Sequence, residues 1–275
     1  MSRTILITGC SSGIGRHCAL QLHGKGWRVF ATARKPEDIA ALTDKGVEAL
    51  YLDYREPGSI HAAFDSVMSA TGGRLHALFN NGAFAQAGAV EDLPTDVLRE
   101  QFEANFFGWH TLSRLAVKAM REQGHGRIVH CSSILGFVPA RWRGAYIASK
   151  YALEGLAAAQ RLELSDTDIR VILIQPGPIR SKLGDNGLKH FLEKIDIEGS
   201  VHAATYRHHL ENMRASSGTG RFRLEPEAVF KKLERALNAP KPRNYYRVTV
   251  PTHFMEIARR LLPSTLLDPI IKRSD

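Results

Sequence analysis

Short apolar runs alternate with helical patterns along the first two thirds of the chain. The apolar runs predict strands at Thr4–Thr8, Trp27–Thr32, Glu48–Leu52, Leu75–Asn80, Arg127–Cys131 and Arg170–Gln175, and the stretches between them predict helices at Gly13–Lys25, Pro36–Lys45, Pro57–Thr71, Pro94–Gln123 and Ala145–Ser165. This spacing indicates βαβ units and a parallel sheet. Strands that read as unbroken β-branched and leucine runs are typical of a sheet covered on both faces. The pattern therefore predicts a doubly wound α/β fold in three layers.

The pattern changes after Gly184. Residues 184–225 are mostly polar and rich in His and Arg, which predicts short helices forming a flap over a substrate cleft. An amphipathic helix at Glu225–Leu237 and a seventh strand at Tyr245–Val250 follow, and then a basic extension at residues 252–275. Because no linker separates these segments, we expect one domain over residues 1–275.

Composition and charge narrow the class of protein. Hydrophobic residues make up 44% of the chain and charged residues 24%, which is ordinary for a globular protein with a core. The net charge is +9, and the charge is scattered through the first half of the chain and denser from Arg207 onward. This distribution does not favour a nucleic-acid partner. Three cysteines without a CxxC pair, and no apolar leader or span of membrane length, favour a cytoplasmic protein with reduced thiols.

A glycine-rich turn connects the first strand to the first helix. A turn of this kind lets the backbone and the helix N-terminus approach a pyrophosphate, although glycines also close any tight turn. Its candidate cofactor-binding residues are Gly9, Ser11, Ser12, Gly13, Ile14 and Gly15. At the end of the second strand stands Arg34, with no carboxylate before Glu37. An arginine there can accommodate the 2′-phosphate of NADP, whereas NAD usually meets an acid.

Tyr146 and Lys150 are four residues apart on one predicted helix, so they share a face. A nearby ammonium favours the phenolate and lowers the pKa of a tyrosine, which can then exchange a proton with a carbonyl oxygen. Ser133 follows the fifth strand, where ligands of open α/β sheets collect. Asn105 stands inside a helix between aromatic residues and needs a polar partner, either structural or functional.

Together these residues resemble the short-chain dehydrogenase/reductase family. The turn is similar to the family's TGxxxGxG, Asn80–Ala83 resembles its NNAG with the last two residues exchanged, and Pro176–Ile179 resembles its PG stretch. Asn105, Ser133, Tyr146 and Lys150 stand where the family has its Asn–Ser–Tyr–Lys tetrad. The amino-acid sequences of these motifs are most similar to those of bacterial NADP-dependent aldehyde and retinal reductases and of the 17β-hydroxysteroid and retinol dehydrogenase branch. The resemblance implies a Rossmann-type seven-stranded sheet.

The resemblance also implies roles. Tyr146 would be the general acid in reduction and Lys150 would lower its pKa, while Ser133 would polarise the carbonyl and Asn105 would hold a water linked to Lys150. The cofactor would be NADP(H), and no metal is expected, so His190, His202, His208 and His209 are interpreted as solvated loop histidines. Further implied cofactor contacts are Asp53, Asn80, Gly82, Pro176, Gly177, Ile179 and Ser181.

Apolar residues near the predicted site indicate an apolar carbonyl substrate such as a long-chain aldehyde, a retinoid or a steroid. The candidate pocket residues are Phe84, Leu135, Phe137 and Trp142, which could equally pack under the flap. One alternative is a reductase of 3-oxoacyl thioesters, with Arg207, Arg214, Arg221 and Arg223 forming a basic entrance. A second alternative is an NADP(H)-binding sensor without catalysis. We also expect a homodimer, and the tail leaves contact with an anionic membrane open.

Overall fold

The computed structural model describes residues 2–215 and 223–274, without the side chains of residues 212–215, 273 and 274. Its centre is one parallel sheet of seven strands in the order β3-β2-β1-β4-β5-β6-β7. The strands are β1 Thr4–Ile7, β2 Arg28–Ala33, β3 Glu48–Tyr51, β4 Ala77–Asn80, β5 His125–Cys131, β6 Asp168–Gln175 and β7 Tyr245–Arg247. The predicted doubly wound, seven-stranded Rossmann-type fold is confirmed.

Helices cover both faces of the sheet. They are α1 Gly13–Gly24, α2 Pro36–Thr43, α3 Pro57–Thr71, α4 Thr95–Phe102, α5 Gly108–Gln123, α6 Gly144–Glu163, α7 Leu183–Lys194, α8 Ala203–Ala215, α9 Glu227–Asn238, α10 Val250–Leu261 and α11 Ser264–Ser274. All residues of the central strands β1 and β4 are buried, as expected for strands between two helical layers. The chain crosses from one side of the sheet to the other between β1 and β4, which opens a crevice at their carboxyl ends.

Two predicted elements differ from the structure. The long helix Pro94–Gln123 is divided into α4 and α5 by a π-helical segment at Glu103–Phe107. A π-helical turn inserts a residue into the helix, and here that turn contains Asn105. The last strand ends at Arg247 instead of Val250, because Thr249 is the N-cap of α10 and Pro251 occupies its first turn.

The flap and the tail have small apolar clusters of their own. Phe191 and Ile195 from the flap pack with Tyr206 of α8 against Ala89. Ala258, Leu267 and Ile271, from α10 and α11, pack instead on the loop that follows β5. Residues 216–222 of the predicted flap lie outside the described residues.

Candidate active site

A cleft of about 250 Å³ opens at the carboxyl ends of the central strands. It joins the glycine turn to the Tyr146–Lys150 face of α6. The predicted residues that line it are Gly9, Ser11, Ser12, Gly13, Ile14, Arg34, Asp53, Gly82, Phe84, Ser133, Tyr146, Lys150, Pro176, Gly177, Ile179 and Ser181. Residues about 170 positions apart along the chain therefore contribute to one site.

The turn between β1 and α1 is shaped by close backbone contacts. Gly9 has a φ of +68°, and a Cβ there would overlap the backbone of Gly82. A Cβ at Gly15 would overlap the Gly9 carbonyl, so Gly15 packs the helix onto the turn and does not line the cleft. The Asn81 side-chain amide donates hydrogen bonds to the carbonyls of Thr8 (3.0 Å) and Gly9 (3.3 Å). These contacts hold the turn open toward the cleft.

The N-terminus of α1 is suited to an anion. Ser12 makes no side-chain capping hydrogen bond, and the first turn of α1 carries no acidic residue. The N–H groups of the first helical turn have no intrahelical acceptor, and the helix dipole is positive at that end. Glycine turn and helix end together form a cradle for a phosphate-bearing ligand.

Arg34 and Asp53 form the wall at the ends of β2 and β3. The Arg34 side chain is 59% exposed and lies 3.6 Å from Asp53 Oδ2. Asp53 is bonded more closely by Arg55, at 2.7 Å. Burial raises the pKa of the Asp53 carboxyl, but the hydrogen bonds from Arg55 outweigh burial, so the pKa lies below its usual range. Arg55 therefore neutralises the carboxylate, and Arg34 keeps donors available to the cleft.

Tyr146, Lys150 and Ser133 meet on the opposite wall. Lys150 is buried, and its Nζ donates a hydrogen bond to the Cys131 carbonyl at 2.9 Å and lies 4.2 Å from the centre of the Trp109 ring. Its Nζ is 5.6 Å from the centre of the Tyr146 ring. The Tyr146 hydroxyl is hydrogen-bonded with Ser133, whose Oγ also accepts from the Leu135 N–H at 3.1 Å. Two hydroxyls and an ammonium therefore face one small volume.

Burial is the largest cause of the pKa shifts of Tyr146 and Lys150. Burial raises the pKa of Tyr146, and the hydrogen bond with Ser133 opposes this rise only in part. This direction is opposite to the lowering predicted from the Tyr–Lys spacing. Burial also lowers the pKa of Lys150 to about 8. Both shifts have one main cause: the charged forms lose their hydration on burial, and the neighbouring groups that favour the charged forms offset only part of that loss.

Asn105 is buried at the π-helical segment, next to the cleft. Its Oδ1 accepts from the Phe84 N–H at 3.1 Å and its Nδ2 donates to the Phe84 carbonyl at 2.9 Å. A weaker bond of 3.4 Å reaches Ser149 on α6. The amide therefore fixes the backbone of a cleft residue, and the predicted water link to Lys150 stays a prediction.

The side chain of Asn80 does not line the cleft, and the predicted contact of this residue with the cofactor stays a prediction. As the last residue of β4 it is fully buried, and it bonds Tyr54 and Ser113. Side chains alternate along a strand, so Asn81, the next residue, lines the cleft instead. The Asn–Asn pair was the available signal, and the alternation decides which member faces the ligand.

Of the four predicted pocket residues, only Phe84 lines the cleft. Phe137 packs under the tail with Leu267 and Ile271. Trp142, at a positive φ of 64°, packs against the flap with its ring 5.7 Å from that of Tyr206. Leu135 is not part of the cleft lining either. The tail therefore covers Phe137 and the flap covers Trp142, and a contact of these three residues with the substrate stays a prediction.

The flap lines the cleft through residues that the sequence analysis did not single out. Lys182, Leu183 and Asn186, at the start of α7, line the cleft. The ring of His190 lies 4.8 Å from that of Phe84. Of the predicted basic entrance, Arg207 is paired with Glu198, and Arg221 and the side chain of Arg214 lie outside the described part of the chain.

A dinucleotide-type cleft that also holds a Tyr–Lys–Ser group is the arrangement of a nucleotide-dependent oxidoreductase. Comparison with known proteins agrees, and the chain belongs to the short-chain dehydrogenase family, whose model matches residues 3–190.

Three similar proteins illustrate the range of the family. The chain is 39% identical over 272 residues to the uncharacterized oxidoreductase YbbO of Escherichia coli strain K12, a match that covers 99% of this chain and 95% of that protein. It is 34% identical to an NADPH-dependent 1-acyldihydroxyacetone phosphate reductase of Schizosaccharomyces pombe, covering 76% of this chain and 70% of that one. Among solved structures, a single-residue variant of actinorhodin polyketide ketoreductase with NADPH is similar at a TM-score of 0.73 and 27% identity, covering 90% and 95% of the two chains.

None of the helices within residues 2–215 and 223–274 is both long enough and apolar enough to span a bilayer.

Proposed function

We propose that the protein is an NADP(H)-dependent reductase of an aldehyde or ketone carried on an apolar substrate. The observation that carries the proposal is the joint lining of one cleft by the glycine turn and by Tyr146, Lys150 and Ser133. A nucleotide held at the turn and a carbonyl held by the hydroxyls would then share a single enclosed space.

The chain's residues fit NADP(H). The uncapped N-terminus of α1 and the close-packed glycines Gly9 and Gly13 leave room for a pyrophosphate. Arg34 is exposed toward the cleft, and a guanidinium is the side chain best suited to a 2′-phosphate. When bound, NADPH supplies the hydride. The named NADPH dependence of the fission-yeast relative is consistent with this choice.

The protein's own residues would handle the proton. Tyr146 donates its phenolic proton to the substrate oxygen, while Ser133 donates a hydrogen bond to the same oxygen and fixes its position. Lys150, with a pKa of about 8, is mostly charged at neutral pH and stabilises the negative charge that develops on Tyr146. Its hydrogen bond to the Cys131 carbonyl keeps the ammonium beside the tyrosine ring.

The substrate would enter between Phe84 and the start of α7. Phe84, Ile179 and Leu183 give the cleft an apolar side next to the catalytic hydroxyls. A relative whose name specifies an acylated ketone substrate supports a carbonyl with an apolar chain. We propose long-chain aldehydes, retinoids and steroid-like ketones as the class to examine.

The test is the oxidation of NADPH and of NADH by the full chain, measured with retinal, long-chain aldehydes, steroid ketones and an acetoacetyl thioester. We expect NADPH-linked turnover of the apolar carbonyls, and a loss of at least about a hundredfold in kcat for Tyr146→Phe because the acid is removed. Tyr151→Phe, on the exposed side of the same helix, is the matched control. Turnover of the thioester alone would replace the proposed substrate class, and tight NADPH binding without any turnover would overturn catalysis.

We also propose a homodimer that pairs through α5 and α6. Phe107, at the start of α5, and Tyr151 and Leu162, on α6, are exposed apolar or aromatic residues next to this surface. Sedimentation velocity of the purified chain measures the mass, and a monomer at micromolar concentration would overturn the pairing.

A further inference from the structure

An apolar stripe runs along the outside of α10. Val250, Phe254, Ile257 and Leu261 are exposed by 72%, 56%, 58% and 76%. Their spacing of four, three and four residues places them on one face of the helix. Thr252, on the opposite face, is buried, and so is Ala258, beside the stripe, so α10 packs on the protein with its other side and leaves the stripe exposed. Leu266 and Ile270 add exposed apolar side chains on α11.

A cationic cluster lies at the beginning of the same helix. Lys232, Arg235, Lys241 and Arg243 line a surface pocket of about 540 Å³ between α9, β7 and α10. No acidic residue lines this pocket in the described part of the chain. Burial lowers the pKa of Lys232, and Arg235 and Arg243 lower it further, so the cations repel each other. Such a cluster is stabilised by an anion.

The apolar stripe and the cationic cluster are continuous. His253 lines the pocket with the cluster and directly precedes Phe254 of the stripe. Contiguous exposed apolar surface is unusual on a monomeric globular protein unless a partner covers it. An apolar helix face with adjacent cations matches the two layers of an anionic membrane surface, acyl chains beneath phosphate headgroups.

We propose that α10, α11 and the cationic cluster form a docking surface for the face of an anionic phospholipid bilayer. The apolar stripe enters the boundary between headgroups and acyl chains, and the cationic cluster binds the lipid phosphates. This surface lies outside the proposed catalytic cleft, so membrane docking is independent of the proposed reductase activity and is measured without turnover.

The test is co-sedimentation of the full chain with vesicles of phosphatidylcholine alone or of equal parts phosphatidylcholine and phosphatidylglycerol. We expect binding to the anionic vesicles that weakens as salt is raised, and little binding to the neutral ones. Combined replacement of Arg235, Lys241 and Arg243 by Gln is expected to reduce the partition coefficient roughly 100-fold, at about fivefold for each cation. Replacement of Phe254, Ile257 and Leu261 by Ser is expected to reduce it by at least a similar factor.

Matched control variants test whether vesicle binding depends on where the residues are replaced or only on the change in charge and apolar surface. Lys45, Lys118 and Arg121, exposed elsewhere, are replaced by Gln for the same change in charge, and Val90, Leu192 and Val201 by Ser for a comparable change in apolar surface. Both controls are expected to bind vesicles as the unmodified chain does, and circular dichroism melting verifies that all variants fold. Absence of vesicle binding, equal binding to neutral vesicles, or binding lost as readily in the controls would overturn the proposal. So would a stripe variant that only dissociates a dimer in sedimentation velocity, or a cluster that binds inorganic phosphate but no vesicles.

Discussion

Two regions of the molecule hold their side chains in different ways. The sheet region, residues 2–181 together with α9 and β7, has a continuous core. Polar groups such as those of Asn80, Asn105 and Lys150 are buried and hydrogen-bonded in this region. The flap and tail, helices α7, α8, α10 and α11, bury only a few side chains each and leave Leu192, Phe254 and Leu261 exposed. The residues of the proposed proton chemistry belong to the first region, whereas the proposed surroundings of the substrate belong partly to the second.

The difference suggests a division of labour. Catalytic groups need fixed positions, which a dense interior provides. Elements with few buried contacts open at lower free energy, so they can admit a substrate without disturbing the sheet. Substitutions in the two regions are therefore expected to affect different quantities.

The largest effect is expected at Lys150, whose buried charge lowers the free energy of unfolding because the ammonium loses its hydration. Lys150→Met removes a buried ammonium, so kcat should fall about a thousandfold while the free energy of unfolding does not fall, because the desolvation of the charge disappears. Steady-state kinetics and urea unfolding measure the two quantities. Lys118→Met, at an exposed position of α5, should change neither. Loss of both activity and stability would show that Lys150 is mainly structural.

A substitution in the tail should lower the free energy of unfolding and have less effect on kcat. Leu267→Ala creates a cavity beneath α11 and should lower the free energy of unfolding by about 2–3 kcal/mol, with a smaller effect on kcat than Lys150→Met. Its neighbour Leu266 is 57% exposed, so Leu266→Ala should cost less than about 0.5 kcal/mol. Urea unfolding compares the pair. Equal costs would mean that α11 does not pack on the loop after β5 as described.

The interior of the sheet region also predicts a response to acid. Burial, with a contribution from Lys150, lowers the pKa of His130 from 6.5 to about 3. The unfolded chain therefore binds more protons than the folded chain between these values, and stability falls as the pH falls through this window. From pH 6.5 to 5, this histidine should remove about 1.5 kcal/mol. In His130→Gln the loss over that interval should be smaller by this amount, measured by urea unfolding; equal slopes would contradict the assignment.

The smallest effect is expected at Arg34, a residue of the sheet region that is exposed, as many residues of the flap and tail are. Arg34→Ala should raise the KM for NADPH about tenfold and leave that for NADH unchanged, because only the phosphate contact is lost. Lys35, 72% exposed and paired with Glu37, provides the control Lys35→Ala, with little change expected. Parallel loss with both nucleotides would show that Arg34 shapes the cleft wall and does not recognise the phosphate.

The same division separates what the sequence predicts from what it does not. The glycine turn and the Tyr146–Lys150 pair depend on local spacing within one turn or one helix, and the structure has them in the cleft. The positions of Phe137 and Trp142 depend on which distant helices dock on the loop after β5, which no local pattern records. The pKa of Tyr146 shifts upward instead of downward for a similar reason, since the burial that raises it depends on the whole fold.

The π-helical segment is an intermediate case. Asn105 between aromatic residues did indicate a side chain that needs a polar partner. The sequence did not indicate that this partner is the Phe84 backbone, over twenty positions earlier, or that the helix is π-helical at this point. Likewise, the Asn–Asn pair indicated a site, and the register of β4 determined that Asn81 is the member facing it.

Thr249 and Thr252, both buried, close on Gly177 so tightly that a Cβ at the glycine would overlap their hydroxyls. The part of the cleft beside Pro176 is thus backed by residues that the ribosome adds about 70 positions after Gly177. Domains fold as units during or after synthesis, and the wall here cannot be finished before the last strand and the start of α10 have emerged. A message cut short just before this point would encode the complete tetrad in a protein whose nucleotide cleft has an unsupported side.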